Sequence, residues 1–207
     1  YTITVSNFNA DTEPLFQAAV QDIEHQKPRG LILDLRNNPG GYLDAAVAIA
    51  SFWISDGVIV SEQFSNQSAI QSQHARGLAP LADLPTVVLI NQGSASASEI
   101  FAAAIQDYKR GIIVGSTSTY GKGTVQRNIP LNPENEIQLF GSSAKEDLGT
   151  VKLTLQKFYR INGDATQLRG VIPDVILPDR YDFLKIREKD NPYSLKWDET
   201  GKADYAP

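Results

Sequence analysis

The sequence lacks cysteine entirely and contains only two histidines in 207 residues. Without cysteine, disulfide bonds, thiolate nucleophiles and cysteine-ligated metal sites are excluded. Any Ser–His–Asp site or histidine-rich metal site would depend on His25 or His74. His25 lies on the polar side of a predicted helix and His74 in a polar segment, so we interpret both as solvated surface residues.

The sequence also has no excess of basic over acidic residues and no long run of apolar residues. The net charge is −5, and nucleic-acid binding is disfavoured because phosphate contacts require clustered Lys and Arg. No apolar run approaches the roughly 20 residues of a membrane span. The chain begins at Tyr1 without methionine. We therefore expect a fragment of a longer protein, whose lack of a targeting segment indicates nothing about location.

Strand-like and helix-like patterns alternate along the chain, which predicts an α/β domain with substantial parallel pairing. Helices are predicted at 11–26, 43–54 and 99–109. Strands are predicted at 2–5, 30–35, 58–63, 85–91, 111–115, 124–129, 151–161 and 171–177. We expect loops at 65–84 and 131–149, and a buried strand at 30–35. The core-facing residues of the first helix are predicted to be Leu15, Phe16, Ala19, Val20 and Ile23.

A turn of small residues, NQGSASASE (91–99), joins a predicted strand to a predicted helix. Small side chains let a ligand approach closely, and the start of a helix leaves backbone N–H groups unpaired. A serine in this place can attack a carbonyl while nearby N–H groups hold the oxyanion. The alternative is that Ser94, Ser96 and Ser98 are only turn and helix-capping residues.

Two further turns carry candidate chemistry. Lys122 lies between Gly121 and Gly123, and burial would lower its pKa enough for it to act as a base. The segment DLRNNPGG (34–41) follows a strand and presents backbone N–H groups where α/β sites form. An exposed lysine turn and an ordinary Pro-Gly turn are the respective alternatives. The residues alone leave both open.

Together these segments resemble the C-terminal processing peptidases, also called tail-specific proteases. The blocks that carry the resemblance are GLILDLRNNPGG (30–41), SASASEI (94–100), YGKGTVQ (120–126), LTLQKFYRING (153–163) and GVIPDV (170–175). It covers residues 1–178, and the later segment around Trp197 is most similar to the long periplasmic tail-specific protease of Gram-negative bacteria.

The resemblance implies an α/β fold, a Clp protease/crotonase-like core of mixed sheets flanked by helices. It implies that Ser96 is the nucleophile, Lys122 the general base and Gln126 the third member of the site. The implied oxyanion donors are the N–H group of Ala97 and that of one or both of Gly40 and Gly41. One departure is that the turn 115–122 is one residue longer than the usual family form and lacks its proline.

The implied activity is that of a serine endopeptidase that cuts proteins selected by apolar C-terminal tails, without a metal or organic cofactor. We expect residues 1–178 to be the catalytic core and 179–207 an extension that packs on it or begins a further region. The family's PDZ domain is not evident here and would belong to the parent chain. Expected partners are protein or peptide substrates, that PDZ domain and, as a further candidate, an adaptor protein. The expected location is the periplasm, with inner-membrane association through the parent chain as an option.

Two other functions stay open at this point. A peptide-binding or scaffold module would use the same grooves without turnover. An acyl-CoA-binding, crotonase-like enzyme would stabilise an enolate with glycine-flanked N–H groups and would need neither Ser96 nor Lys122.

Overall fold

The structure is a computed structural model that describes residues 1–67, 69–77, 79–131 and 148–205. The helices in these ranges are α1 (Thr12–Gln26), α2 (Leu43–Ala50) and α3 (Ala97–Asp107). The strands are β1 (Thr2–Thr4), β2 (Leu31–Asp34), β3 (Val58–Phe64), β4 (Ile70–His74), β5 (Thr86–Ile90), β6 (Ile112–Gly115), β7 (Thr124–Pro130), β8 (Thr150–Tyr159) and β9 (Val175–Ile176). The predicted α/β core of mixed sheets flanked by helices is confirmed.

A five-stranded sheet in the order β1-β2-β5-β6-β9 is parallel throughout. Its central strands bury Leu33, Val88 and Ile113 completely. The carboxyl ends of parallel strands meet at one edge of a sheet, where α/β proteins place their sites. The turns that follow β2, β5 and β6 therefore share an edge, and they are the three turns that are predicted to carry the candidate chemistry.

The prediction of a buried strand at 30–35 is only half right, because β2 buries one face. Leu31 and Leu33 are buried, whereas Ile32 is 42% exposed on the other face. Ile112 on β6 is exposed on the same sheet. Apolar residues in succession predict burial of both faces, yet they do not show how much of each face other elements cover.

A second sheet has the order β4-β3-β8-β7 and is antiparallel. Strand β4 falls inside the predicted loop 65–84, so that prediction is wrong for Ile70–His74. Its residues are mostly exposed on an edge strand. A polar edge strand has no buried face, and hydrophobic alternation therefore gives no signal for it.

The helices bury a shared aromatic core. Phe8, Phe16, Trp53 and Phe101 are all nearly inaccessible, and the rings of Trp53 and Phe101 meet edge to face at 5.5 Å. Helix α3 buries Ile100, Phe101, Ala104 and Ile105. On α1 the core contact is made through Thr12, Phe16, Val20 and Ile23.

Several predicted boundaries are wrong. Leu15 is predicted to lie in the core but is 70% exposed, because it lies beside the buried stripe of α1. Helix α2 ends at Ala50 rather than 54, and α3 begins at Ala97 rather than 99. The predicted strand 171–177 is reduced to Val175–Ile176. Most of the predicted loop 131–149 lies outside the described residues. Within them, the structure contains no helix that is both long and apolar enough to cross a membrane.

Candidate active site

Ser96 occupies the sharp turn between β5 and α3. Its backbone angles are φ 56° and ψ −113°, a conformation that residues with a side chain rarely adopt. A strained strand-to-helix turn is how nucleophilic serines are presented at the top of α/β sheets. Ser96 is also half-buried, whereas Ser94 and Ser98 on either side are fully buried.

The hydroxyl groups of the two neighbouring serines have structural partners. Ser94 Oγ donates to the carbonyl oxygen of Leu35 at 2.8 Å, and Ser98 Oγ donates to that of Asn38 at 2.9 Å. These bonds tie the serine turn to the glycine turn that follows β2. The hydroxyl groups of Ser94 and Ser98 therefore link the two turns.

Glu99 joins the turn that contains Ser96 (91–99), here called the serine turn, to the turn that contains Lys122 (115–122), here called the lysine turn. Its Oε2 accepts hydrogen bonds from the backbone N–H groups of Ser96 at 2.8 Å and Lys122 at 2.9 Å. Its Oε1 accepts from the Gly121 N–H at 2.8 Å and the Thr119 hydroxyl at 2.5 Å. Because one carboxylate contacts both backbones, residues 96 and 122 are held next to each other.

The Glu99 carboxyl is completely buried. Burial raises its pKa to about 7, although the Thr119 hydroxyl and three backbone N–H groups favour the charged form. The sequence motifs did not reveal the role of this residue. The available signal was the Ser-x-x-Glu spacing of Ser96 and Glu99, a known capping pattern at the start of a helix.

Lys122 is half-buried, and its amine has no hydrogen bond or ion pair among the described residues. Burial is the largest cause that lowers its pKa, and the charge of Lys152 adds to the effect. Glu188 and Glu99 act in the opposite direction. A lowered pKa makes the neutral amine, which can accept a proton, available at lower pH.

Gln126 lies on β7 and is exposed. Its side-chain nitrogen donates to Thr154 Oγ1 at 3.3 Å. In the part of the chain that the structure describes, it makes no hydrogen bond with Lys122. The structure thus places Gln126 on the strand that leaves the lysine turn, and its role as the third member stays a prediction.

The glycine turn lies directly against the serine turn. A Cβ atom on Gly40 would come within 2.6 Å of the Ala95 oxygen and 2.8 Å of both Ser96 Cβ and the Ala97 nitrogen. The Gly40 N–H already donates to Asn38 Oδ1 at 2.9 Å. The N–H groups of Gly41 and Ala97 have no acceptor among the described residues. Of the three predicted oxyanion donors, the structure therefore leaves Gly41 and Ala97 available.

The histidines and a large cavity do not form part of this arrangement. His25 is exposed on α1, where its Nδ1 contacts the Gln21 oxygen, and His74 is exposed on β4. The cavity, of about 930 Å³, is lined by Arg29, Thr86 and Gly111 at the opposite end of the parallel sheet.

Comparison with known proteins shows the family of this chain. The sequence pattern described as Peptidase family S41 matches residues 2–177. The chain belongs to peptidase family S41. The resemblance to C-terminal processing peptidases that the sequence motifs indicated is thereby confirmed.

The names of similar proteins agree with this family assignment. The chain is 41% identical over 189 residues to a tail-specific protease of Haemophilus influenzae, an alignment that covers 88% of the chain and 25% of that protein. It is 45% identical over 175 residues to a carboxyl-terminal-processing protease of Synechocystis sp., covering 84% and 37%. The solved photosystem II D1 C-terminal processing protease superposes with a TM-score of 0.70 at 33% identity, covering 85% of this chain and 42% of that one. The chain thus spans a quarter to two-fifths of these relatives.

Proposed function

We propose that this chain is the catalytic part of a serine endopeptidase with Ser96 as nucleophile and Lys122 as general base. One observation carries the proposal. Glu99 Oε2 accepts hydrogen bonds from the backbone N–H groups of Ser96 and Lys122, and so holds a strained serine next to a half-buried lysine. Membership of family S41 supports the peptidase activity. No comparable arrangement around a histidine exists among the described residues.

The proposed reaction begins with attack of Ser96 Oγ on the scissile carbonyl carbon. The neutral amine of Lys122 takes the hydroxyl proton, and the N–H groups of Gly41 and Ala97 stabilise the negative oxygen of the tetrahedral intermediate. Collapse breaks the C–N bond, and the Lys122 ammonium protonates the leaving amine. Water then hydrolyses the acyl-enzyme, with Lys122 again acting as base.

We assign Gln126 a supporting role in this proposal. Its bond to Thr154 uses the side-chain nitrogen, which leaves the side-chain oxygen as an acceptor. In the proposed mechanism that oxygen accepts one hydrogen of the Lys122 ammonium and orients the amine.

We also propose that the substrates are proteins selected by apolar C-terminal tails. The names of the relatives, tail-specific and carboxyl-terminal-processing protease, support action near C-termini. A PDZ domain in the parent chain, an adaptor protein and a periplasmic location remain part of the same proposal, on the family resemblance.

The test is cleavage of an unfolded protein with an apolar C-terminus by the full-length protein. Ser96→Ala and Lys122→Ala are each expected to lower kcat by at least about a thousandfold. Ser65→Ala and Lys202→Ala, at exposed positions, are the matched controls and should cleave normally. Tail binding without cleavage by the unmutated protein would point to a scaffold. Acyl-CoA turnover that survives Ser96→Ala would point to a crotonase-like enzyme.

A further inference from the structure

The segment 179–195, here called the strap, lies against both catalytic turns. Gln92 in the serine turn donates from its side chain to the Tyr181 oxygen at 3.0 Å. The Glu188 N–H donates to the Tyr120 oxygen, two residues before Lys122, also at 3.0 Å. The strap therefore contacts the backbone beside the proposed base, although it lies beyond the motifs that carry the family resemblance.

Arg187 is the most buried cation of the strap, with 5% of its side chain exposed. One guanidinium nitrogen contacts Asp182 Oδ1 at 2.9 Å, Thr117 Oγ1 at 3.0 Å and the Ser118 oxygen at 3.4 Å. Its Nε is buried without a partner among the described residues. A buried charge with an unpaired N–H is costly, and stability alone therefore accounts poorly for an arginine here.

The contact falls on the turn that is one residue longer than the usual family form. Arg187 contacts Thr117 and Ser118, and Thr119, the next residue, is held by other groups. Thr119 Oγ1 donates to Glu99 Oε1 and accepts the Val171 N–H at 2.7 Å. The guanidinium and the Glu99 carboxylate therefore hold consecutive residues of one turn.

A second connection reaches the other side of Lys122. The side-chain oxygen of Gln167 accepts the Gly123 N–H at 2.8 Å, and its nitrogen donates to Glu188 Oε1 at 3.2 Å. Gln167 also donates to the Leu195 oxygen at 3.0 Å. Lys122 is thus bracketed by two residues, Tyr120 and Gly123, that are both linked to the strap.

We propose that Arg187 is a positioning residue for Lys122: by fixing Thr117 and Ser118 it holds the turn that keeps the lysine half-buried. The inference rests on the proposed role of Lys122 as base. It adds to that role a residue outside the matched family segment, which ends at 177. It also gives the strap a catalytic purpose.

The expected effect has a definite sign. Among the described residues, the charged groups that act on the pKa of Lys122 are Glu99 from α3, Glu188 from the strap and Lys152 from β8. Loosening the turn admits water to the amine, which raises the pKa of Lys122 toward its ordinary value. A larger fraction of the lysine is then protonated at neutral pH, and the rising limb of the pH–rate profile moves to higher pH.

Arg187→Lys keeps the charge but loses the planar group that spans three partners, so it isolates geometry from charge. Arg160→Lys is the matched control. Arg160 forms a comparably buried pair with Asp107 at 2.6 Å, at the far end of α3 from Ser96. In the full-length protein, Arg187→Lys is expected to lower kcat about tenfold or more with little change in KM and to shift the limb. Arg160→Lys should leave the limb in place.

Thr117→Val removes the contact between Arg187 and Thr117 by changing the threonine instead of the arginine. It keeps the proposal testable if Arg187→Lys does not fold. It should shift the limb in the same direction, and its effect should be less than additive with that of Arg187→Lys, because both variants remove the contact between Arg187 and Thr117. Unchanged pH profiles in folded Arg187→Lys and Thr117→Val would overturn the proposal.

A readout independent of catalysis separates this inference from the proposed function. Lysine amines are ¹³C-methylated and titrated by NMR in the Ser96→Ala background, and the Lys122 signal is assigned by its loss in Lys122→Ala. A raised pKa of Lys122 in Arg187→Lys but not in Arg160→Lys supports the positioning role, even if the protein cleaves nothing and the proposed function fails. If Ser96 and Lys122 prove essential for cleavage while Arg187→Lys titrates unchanged, the positioning role fails and the function stands.

Discussion

Ser96 combines backbone strain with a half-buried hydroxyl. The strain persists because the surrounding turn is fixed at several points: Ser94 and Ser98 bind carbonyl oxygens of the glycine turn, and Glu99 binds the Ser96 N–H. Strain that the surroundings maintain is typical of residues that a mechanism requires in one orientation. In the proposed mechanism this strain presents the Ser96 hydroxyl to the substrate, at some cost in stability.

The cost can be measured by comparing Ser96→Gly with Ser96→Ala. Both variants lose the hydroxyl, but only glycine adopts a positive φ without strain. We expect the glycine variant to have the higher free energy of unfolding, by about 1 kcal/mol. Chemical denaturation of the two variants gives this difference. A glycine variant that is less stable than the alanine variant would show that Ser96 is not strained.

At the scale of elements, the start of α3 organises the site through Glu99. Its carboxylate accepts four hydrogen bonds, one from the serine turn and three from the lysine turn. Each donor would be left without a strong acceptor if the carboxylate were lost. The helix terminus therefore holds the backbone of Ser96 next to that of Lys122.

Glu99→Gln is expected to break this link, because its amide NH₂ must face N–H groups that also donate. The unpaired groups should lower the free energy of unfolding by about 1 to 3 kcal/mol and kcat by about tenfold or more. Glu24→Gln makes the same substitution at an exposed position of α1 and is the matched control. Normal kcat in a folded Glu99→Gln would contradict the linking role.

The same carboxyl makes stability depend on pH. Folding raises its pKa from 4.5 to about 7, so the native state binds more protons than the unfolded state between these values. The contribution of Glu99 therefore makes stability fall as pH rises from 4.5 to about 7, by about 3 kcal/mol in total. Denaturation across this range should show that component in the unmutated protein and lack it in Glu99→Gln.

The contact between the glycine and serine turns gives another prediction. Gly40 has φ 99°, and an added Cβ would collide with backbone atoms of Ala95 and Ala97. Gly40→Ala should therefore separate the two turns and lower kcat by about a hundredfold or more. Gly201→Ala, where a Cβ meets nothing within 4 Å, should cleave normally. Equal activity of the two variants would show that the turns need not touch.

Most helices and strands could be predicted from the sequence, because an element with a buried face repeats apolar residues at the period of a helix or a strand. The parallel arrangement then implied that the three turns share an edge. Exposed features were missed: β4 has no buried face, and Leu15 lies beside the apolar stripe of α1. Glu99 was missed because a glutamate in a capping position is usually solvated. Its burial depends on Thr119 and Gly121, and no local pattern connects these residues to it.

At the scale of the whole molecule, the site is assembled from distant parts of the chain. The glycine turn, the serine turn, the lysine turn and the strap meet only in the folded protein. The half-buried position of this lysine is therefore a property of the complete fold. The pH dependence of activity is expected to depend on this burial of Lys122.

Activity is expected to rise with pH through the lowered pKa of Lys122, because the base must be neutral. Removing the charge of Lys152, which helps to lower that pKa, should move the rising limb to higher pH. Lys152→Gln should show this shift at low salt and less of it at high salt, since Lys152 is exposed and its charge is screened. Lys157→Gln, on the same strand and paired with Asp198, is the control. A flat profile with chemistry rate-limiting would contradict a lysine base.

The central claim is that Ser96 becomes acylated with the help of Lys122. The most direct measurement is acid quenching of the full-length protein during turnover of a peptide ester, followed by intact mass and peptide mapping. The account predicts one acyl group on the peptide that contains Ser96, absent in Ser96→Ala and formed at least about a hundredfold more slowly in Lys122→Ala. An acyl group on another residue, or undiminished turnover by Ser96→Ala, would contradict it.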